Sequence, residues 1–216
     1  MHNLDHIVFG SFTLEEGTEF VENILQAKLS DIGYHKDMGT HNRVIRISER
    51  VYLEVIAIDP EIRNINNRRW FNLDNSKIQS KLKKSPQIIG YVIENKYINI
   101  TKYYDPFFES SRDIYKWQFA MPTFNNNILD SKIIEAGMIP SLISWKSEKP
   151  IHKLKKNQFE LISFEIRLSK TQKHLNSFFK SFGKIEYVSV SMIKDEEPSI
   201  FKLKLKDNLR DIVISL

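Results

Sequence analysis

Hydrophobic and polar positions change period along the chain in an order that occurs three times. In the first pass, "LDHIVFGS" (residues 4–11) alternates as a strand does, with Ile7 and Phe9 on one face and Leu4, His6 and Val8 on the other. The following "LEEGTEFVENILQ" has helical spacing, with Phe20 and Ile24, and more loosely Val21 and Leu25, on one stripe. Thr13 ahead of it, with Glu15 and Glu16 just after, has the chemistry of a helix N-terminus. "KLSDIGYH", with turn signals at Gly33 and Gly39, leads to "HNRVIRIS" and then "VYLEVIAI", two strands; Asp59–Pro60 stops the second. Residues 1–60 therefore read as strand, helix and three strands.

A polar linker over 61–86 carries a short helix near "NSKIQSKLKK". The second pass, 87–157, is degenerate: "QIIGYVIEN", "YKWQFAMP" and "IPSLISWKS" are strands, while "NITKYYDPFFES" is a short helix or loop broken at Pro106. The third pass, 158–216, has the strand "FELISFEIRLS", the helix "KTQKHLNSFFKSF" with Leu175, Phe178, Phe179 and Phe182 at helical spacing, and three further strands. Repetition at this scale argues for a repeated unit, and clean alternation argues for antiparallel pairing with one covered face. The fold class expected is α+β.

Composition narrows the function classes. The 216 residues are ordinary for a globular protein. There is no cysteine, which excludes disulfides, a thiol nucleophile and thiolate metal sites. No apolar run is long enough for a membrane span, and "MHNLDHIVFG" lacks the order of a secretory signal, so a cytoplasmic location is expected. The net charge of +5 comes mainly from lysines spread through the last third. Arginines are not clustered, and no nucleic-acid partner is expected. Phosphate loops, HExxH and G-x-S-x-G are absent.

"LDHIVFGS", "GYHKDMGTHNRVIRI", "YLEVIAIDP" and "RRWFNLD" together resemble a glyoxalase-like protein of the vicinal-oxygen-chelate superfamily, and "YKWQFAMP" and "GMIPSLISWKSEKP" resemble its later part. The likeness covers roughly residues 3–160. It implies repeated βαβββ modules whose paired, curved antiparallel sheets enclose a cleft. It also implies a divalent metal (Zn, Ni, Mn or Fe), held by a His of the first strand and a Glu of the fourth; His6 and Glu54 stand at those positions. The second module departs from the pattern, with Gly90, Tyr91 and Val92, and then Ser144 and Trp145, where further ligands belong. His41 is a candidate third ligand.

A carboxylate inside an apolar strand needs a partner, which gives Glu54 two readings. One is a metal ligand or proton-moving base; the other is a side chain paired with Arg43 or Arg46, or leaning to solvent. His6 is either a ligand or a histidine hydrogen-bonded to Glu54. His41 and Asn42 shape the pocket rim or build the turn after Gly39, and His35 is expected in a solvated loop. Trp70, Trp117 and Trp145 are ligand-binding rings or plain core. The function expected is binding of a small carbonyl-type organic ligand in the cleft, with metal-assisted lyase or isomerase chemistry. The alternative is a non-catalytic binding or sequestering protein. A third reading has the C-terminal unit filling the cleft, or a homodimer formed through a sheet edge.

Overall fold

The computed structural model describes residues 2–63, 65, 68–94, 103–122, 137–194 and 197–216. Strand β1 (Asn3–Gly10), helix α1 (Leu14–Leu25), and strands β2 (Gly33–His35), β3 (Thr40–Arg46) and β4 (Tyr52–Ile58) come first. Helix α2 (Ser76–Leu82) precedes strands β5 (Gln87–Glu94), β6 (Phe108–Arg112), β7 (Tyr115–Ala120) and β8 (Ser141–Trp145). Strand β9 (Phe159–Leu168), helix α3 (Leu175–Phe182), and strands β10 (Val188–Met192), β11 (Ile200–Asp207) and β12 (Ile212–Ser215) end the chain. The segment expected as a short helix or loop over 99–110 begins outside the described residues, and its end opens β6.

Eight strands form one sheet in the order β2-β3-β4-β1-β5-β8-β7-β6. Each half runs outward from the β1–β5 seam in the same manner: first strand, fourth, third, second. Most neighbours are antiparallel, as alternation predicts, but β1–β4 and β5–β8 are parallel. A parallel pair at the centre must be covered on both faces, and here it is.

The sheet also curls. Six strand spacings of ~4.8 Å separate β3 from β6, about 29 Å on a flat sheet. Yet Arg112 Nη1 of β6 donates to Asn42 Oδ1 of β3 at 2.9 Å. Only a strongly curved sheet lets one side chain close that gap. The paired, curved α+β architecture expected from the sequence is the observed one.

On the convex face, Ile7, Phe9, Leu53, Val55 and Ile93 pack against α1 and against the last unit, through Phe164, Leu203 and α3 residues Leu175, Phe178 and Phe182. The C-terminal unit therefore covers the face opposite the cleft and does not fill it. Its sheet order is β10-β9-β11-β12, with β9–β10 parallel, so it repeats the strand–helix–strands sequence with a different pairing from the first half. No helix among the described residues is long and apolar enough to cross a membrane.

Helix α1 begins where its chemistry predicts: Thr13 Oγ1 accepts from the Glu16 amide at 3.2 Å. Its fully buried stripe is Leu14, Gly17, Val21 and Leu25, one position round from the expected one, and Phe20 and Ile24 flank it half-buried. Thr13→Ala should cost about 1 kcal/mol, read as a lower urea midpoint at unchanged slope.

Candidate active site

The concave face carries an open cleft between ring-lined walls. Strand β4 places Glu54 on it, because Glu54 alternates with Leu53 and Val55, which belong to the opposite core. Strand β3 places Asn42 and Val44 there by the same alternation.

Strand β1 does something that alternation does not predict. Leu4 pairs with Ile93 and His6 with Val92, leaving Asp5 as an extra residue in a β-bulge. A bulge lets two successive side chains reach the same face. Asp5 and His6 both join the polar floor, while Leu4 turns to the convex core with Ile7 and Phe9, reversing the face expected for it.

The floor is a continuous polar chain. Trp145 Nε1 donates to Asp5 Oδ2 at 2.9 Å, and His6 Nδ1 meets Asp5 Oδ1 at 2.7 Å. On its other side His6 Nε2 lies 3.4 Å from Glu54 Oε2. Glu54 Oε1 accepts from Asn42 Nδ2 at 2.5 Å, and Asn42 Oδ1 accepts from Arg112. The same Arg112 Nη1 lies 3.4 Å from His35 Nε2, and His35 Nδ1 lies 3.2 Å from Thr40 Oγ1. Gly33 makes the Arg112 approach possible: a Cβ there would fall 2.2 Å from Arg112 Nη1.

These contacts set the charges. Burial by itself would lower the His6 pKa, but the Asp5 and Glu54 carboxylates outweigh it and raise it to about 9. Burial would raise Glu54, but His6 and Asn42 hold it down, to about 2. At neutral pH the pair is thus an imidazolium and a carboxylate. Burial pushes the His35 imidazole down to about 4; Glu54 works against this, and the Arg112 and His6 charges add to it. Burial also drives the Tyr52 phenol well up; its ring stacks on His6 at 4.6 Å between centroids.

The residues singled out in the sequence divide cleanly. His6, Glu54, Asn42, Trp70, Trp117 and Trp145 all line the cleft. His41 does not: it faces away from Asn42, toward Tyr34, and its Nε2 is buried without a hydrogen-bond partner. Gly39, read as a turn signal, has a positive φ of 55°. Arg43 and Arg46 bond the Ser30 and Glu49 carbonyls, not Glu54. His35, expected in a solvated loop, is half-buried at the cleft and edge-on to Trp70 and Trp117. Asp5 and Arg112 were not foreseen. The adjacency "DH" signals the first only if a bulge is known; no local pattern signals the second.

The donor set is incomplete for a metal. Asp5 on Nδ1 orients His6 as it would a ligating imidazole, and Glu54 lies beside Nε2, but this supplies only one imidazole and one carboxylate at that point. The second half of the sheet contributes Arg112, Tyr115, Trp117, Phe119, Ile143 and Trp145 to the cleft, a cation and apolar or aromatic groups with no imidazole or carboxylate among them. Among the described residues no three His, Asp or Glu side chains gather to hold an ion. The expectation of a divalent metal at His6 and Glu54 is therefore not supported by the geometry.

Comparison with known proteins places this architecture. A hypothetical protein from Staphylococcus aureus has a solved structure that aligns with a TM-score of 0.64 at 16% identity, covering 100% of this chain and 98% of that one. A methylmalonyl-CoA epimerase in complex with methylmalonyl-CoA and NH4+ aligns at 0.44 and 15% identity, over 69% of this chain and 99% of its own. The epimerase of Mycobacterium tuberculosis aligns at 0.42 and 10%, over 69% and 91%. No curated protein matches the sequence. The family model described as a glyoxalase-like domain matches residues 4–179, and the chain belongs to that family, within the vicinal-oxygen-chelate superfamily.

Proposed function

We propose that the chain binds a small organic molecule in the cleft and holds it without metal-assisted chemistry. The molecule has an apolar or aromatic body and a carbonyl or carboxylate oxygen at one end. One observation carries this reading. The ring-lined walls include two buried hydrogen-bond donors, Trp70 Nε1 and Arg112 Nε, that have no hydrogen-bond acceptor among the described residues. A buried donor left unmatched costs about 1–3 kcal/mol, which a ligand oxygen would recover. Arg112 hydrogen-bonds through Nη1; its Nε stands 3.9 Å from the exposed Asp113 carboxylate, too far for a hydrogen bond, so a ligand carboxylate would compete with Asp113 for that edge. Trp117, Trp145 and Phe119 supply flat apolar area for the body of the ligand.

A metal-dependent lyase or isomerase has less support. The donor set is incomplete, and Glu54, held near 2 by its partners despite burial, is a weak base at neutral pH. A binding or sequestering protein is the reading that the charges favour.

The chain's three tryptophans all line the cleft, so intrinsic fluorescence reports on it directly. Titration with benzoate, phenylpyruvate and hexanoate, in the presence of a chelator, should give saturable quenching and a raised Tm. Arg112→Met should weaken binding roughly tenfold or more, as expected for loss of a charge-assisted bond. Absence of saturable change with all three acids up to millimolar concentrations, or binding that the chelator abolishes, would overturn the proposal.

A further inference from the structure

Arg112 ends β6, one edge of the eight-stranded sheet, and β2 is the other edge. The curl carries its guanidinium across to β2 and β3, where two acceptors hold the same nitrogen. Nη1 lies 2.9 Å from Asn42 Oδ1 and 3.4 Å from His35 Nε2. Neither acceptor is charged at neutral pH: Asn42 is an amide, and burial holds the His35 imidazole down to about 4. Because Nε2 accepts, the ring proton sits on Nδ1, beside Thr40 Oγ1 at 3.2 Å. Among the described residues only one carboxylate comes within ion-pair reach of Arg112, that of Asp113. It stands 3.9 Å from Nε with its side chain 79% exposed, so it does not fix the guanidinium.

Gly33 completes the seat. It pairs with Asn42 across β2 and β3, and a Cβ on it would collide with both Arg112 Nη1 and Asn42 Oδ1. Those atoms are the free ends of side chains. A methyl group would therefore be admitted by moving them, with the backbone left in place.

Resting on the cleft as the binding site and Arg112 as its anchor, we infer that Gly33, His35 and Asn42 are positioning residues that make the cleft selective for a carboxylate over a neutral oxygen. They orient the cation through one nitrogen without placing an acid on it. An acidic seat would hold Arg112 as firmly but would meet its charge before a ligand could. A neutral seat leaves that charge to be met by the ligand, and the class admitted best is a monocarboxylate with an aromatic or apolar body.

The test compares benzoate with benzamide, a neutral ligand of the same shape, by tryptophan fluorescence at pH 7. Wild type should bind benzoate at least about tenfold more tightly, the worth of a charge-assisted bond over a neutral one. Gly33→Ala should bring that ratio to within about threefold, while benzamide binds within about twofold of wild type. His35→Phe keeps a ring against Trp70 and Trp117 but removes the acceptor, and it should also lower the ratio. His35→Gln returns an acceptor and should keep most of it. A role in stability alone would weaken both ligands together and leave the ratio where it was. If Gly33→Ala and His35→Phe both retain the wild-type ratio, the seat is wrong while the cleft reading stands. Equal binding of the two ligands by wild type removes Arg112 as the anchor, and the inference with it. Failure of wild type to bind either one, or phenylpyruvate or hexanoate, counts against the cleft reading itself.

Discussion

Glu54→Ala should destabilise the protein by about 3 kcal/mol, the low end of the 3–5 kcal/mol expected when one partner of a buried ion pair is removed. Glu54 is 5% exposed and His6 4%, so little solvent screens the pair. The substitution leaves the His6 imidazolium with a single carboxylate, and leaves the Asn42 amide without its acceptor. Asp5 keeps the cost at the low end, because it still neutralises His6 from the Nδ1 side. Glu54→Gln separates charge from volume: it retains an oxygen for Asn42 and loses only the ion pair. Urea denaturation of Glu54→Ala, His6→Gln and the double variant completes the argument. If the two groups are coupled as described, the double variant loses clearly less than the sum of the singles. Strict additivity, within about 0.5 kcal/mol, would show that the two side chains do not depend on each other.

How much of this was legible beforehand depends on whether a feature follows from local period. The helix cap at Thr13 and the strand carrying Glu54 follow from capping chemistry and alternation, and they are where the sequence puts them. The bulge at Asp5 is set by pairing with β5, more than eighty residues away, so the pattern "LDHIVFGS" gives no sign of it. One misplaced residue sends Leu4 to the wrong face and hides Asp5 altogether. His41 begins a strand, where direction is fixed only once the register of β3 on β4 is known. Arg112 enters the floor because the sheet curls through six strand spacings, a property of the whole sheet and of no segment within it.

The same long-range geometry explains why the site is lopsided. Two halves with one strand order meet at the β1–β5 seam, and a symmetric reading looks for matching ligands on both sides. The first half instead supplies the acids, both histidines, Asn42 and Tyr52; the linker supplies Trp70 and Phe71, and the second half Arg112, Tyr115, Trp117, Phe119 and Trp145. With Asp5 and Glu54 negative and His6 and Arg112 positive, the floor is electrically balanced before any ligand arrives. Such a floor has no standing demand for a cation. Its unmet demand is for hydrogen-bond acceptors, at Trp70 and Arg112.

Stability should also trace a bell against pH with its top near 6.5, because the two cleft histidines are shifted in opposite directions. His6 is raised from 6.5 to about 9. A raised group contributes fully below its unfolded value and loses that contribution as pH climbs, so stability should fall by about 3 kcal/mol between roughly pH 6.5 and 9. His35 is lowered from 6.5 to about 4. A depressed histidine contributes above its unfolded value, and its share is lost as pH falls from about 6.5 to 4. Glu54, depressed from 4.5 to about 2, steepens the acid limb only below about pH 4.5. Asp5 and Arg112 face the same floor. Chemical denaturation at pH 5, 6.5 and 9 separates the limbs. His6→Gln should flatten the alkaline limb, and His35→Gln the acid limb above pH 4.5, each leaving the other in place. An alkaline limb that survives His6→Gln would mean that the imidazole is not held between two carboxylates, and the charge-balanced floor would fall with it.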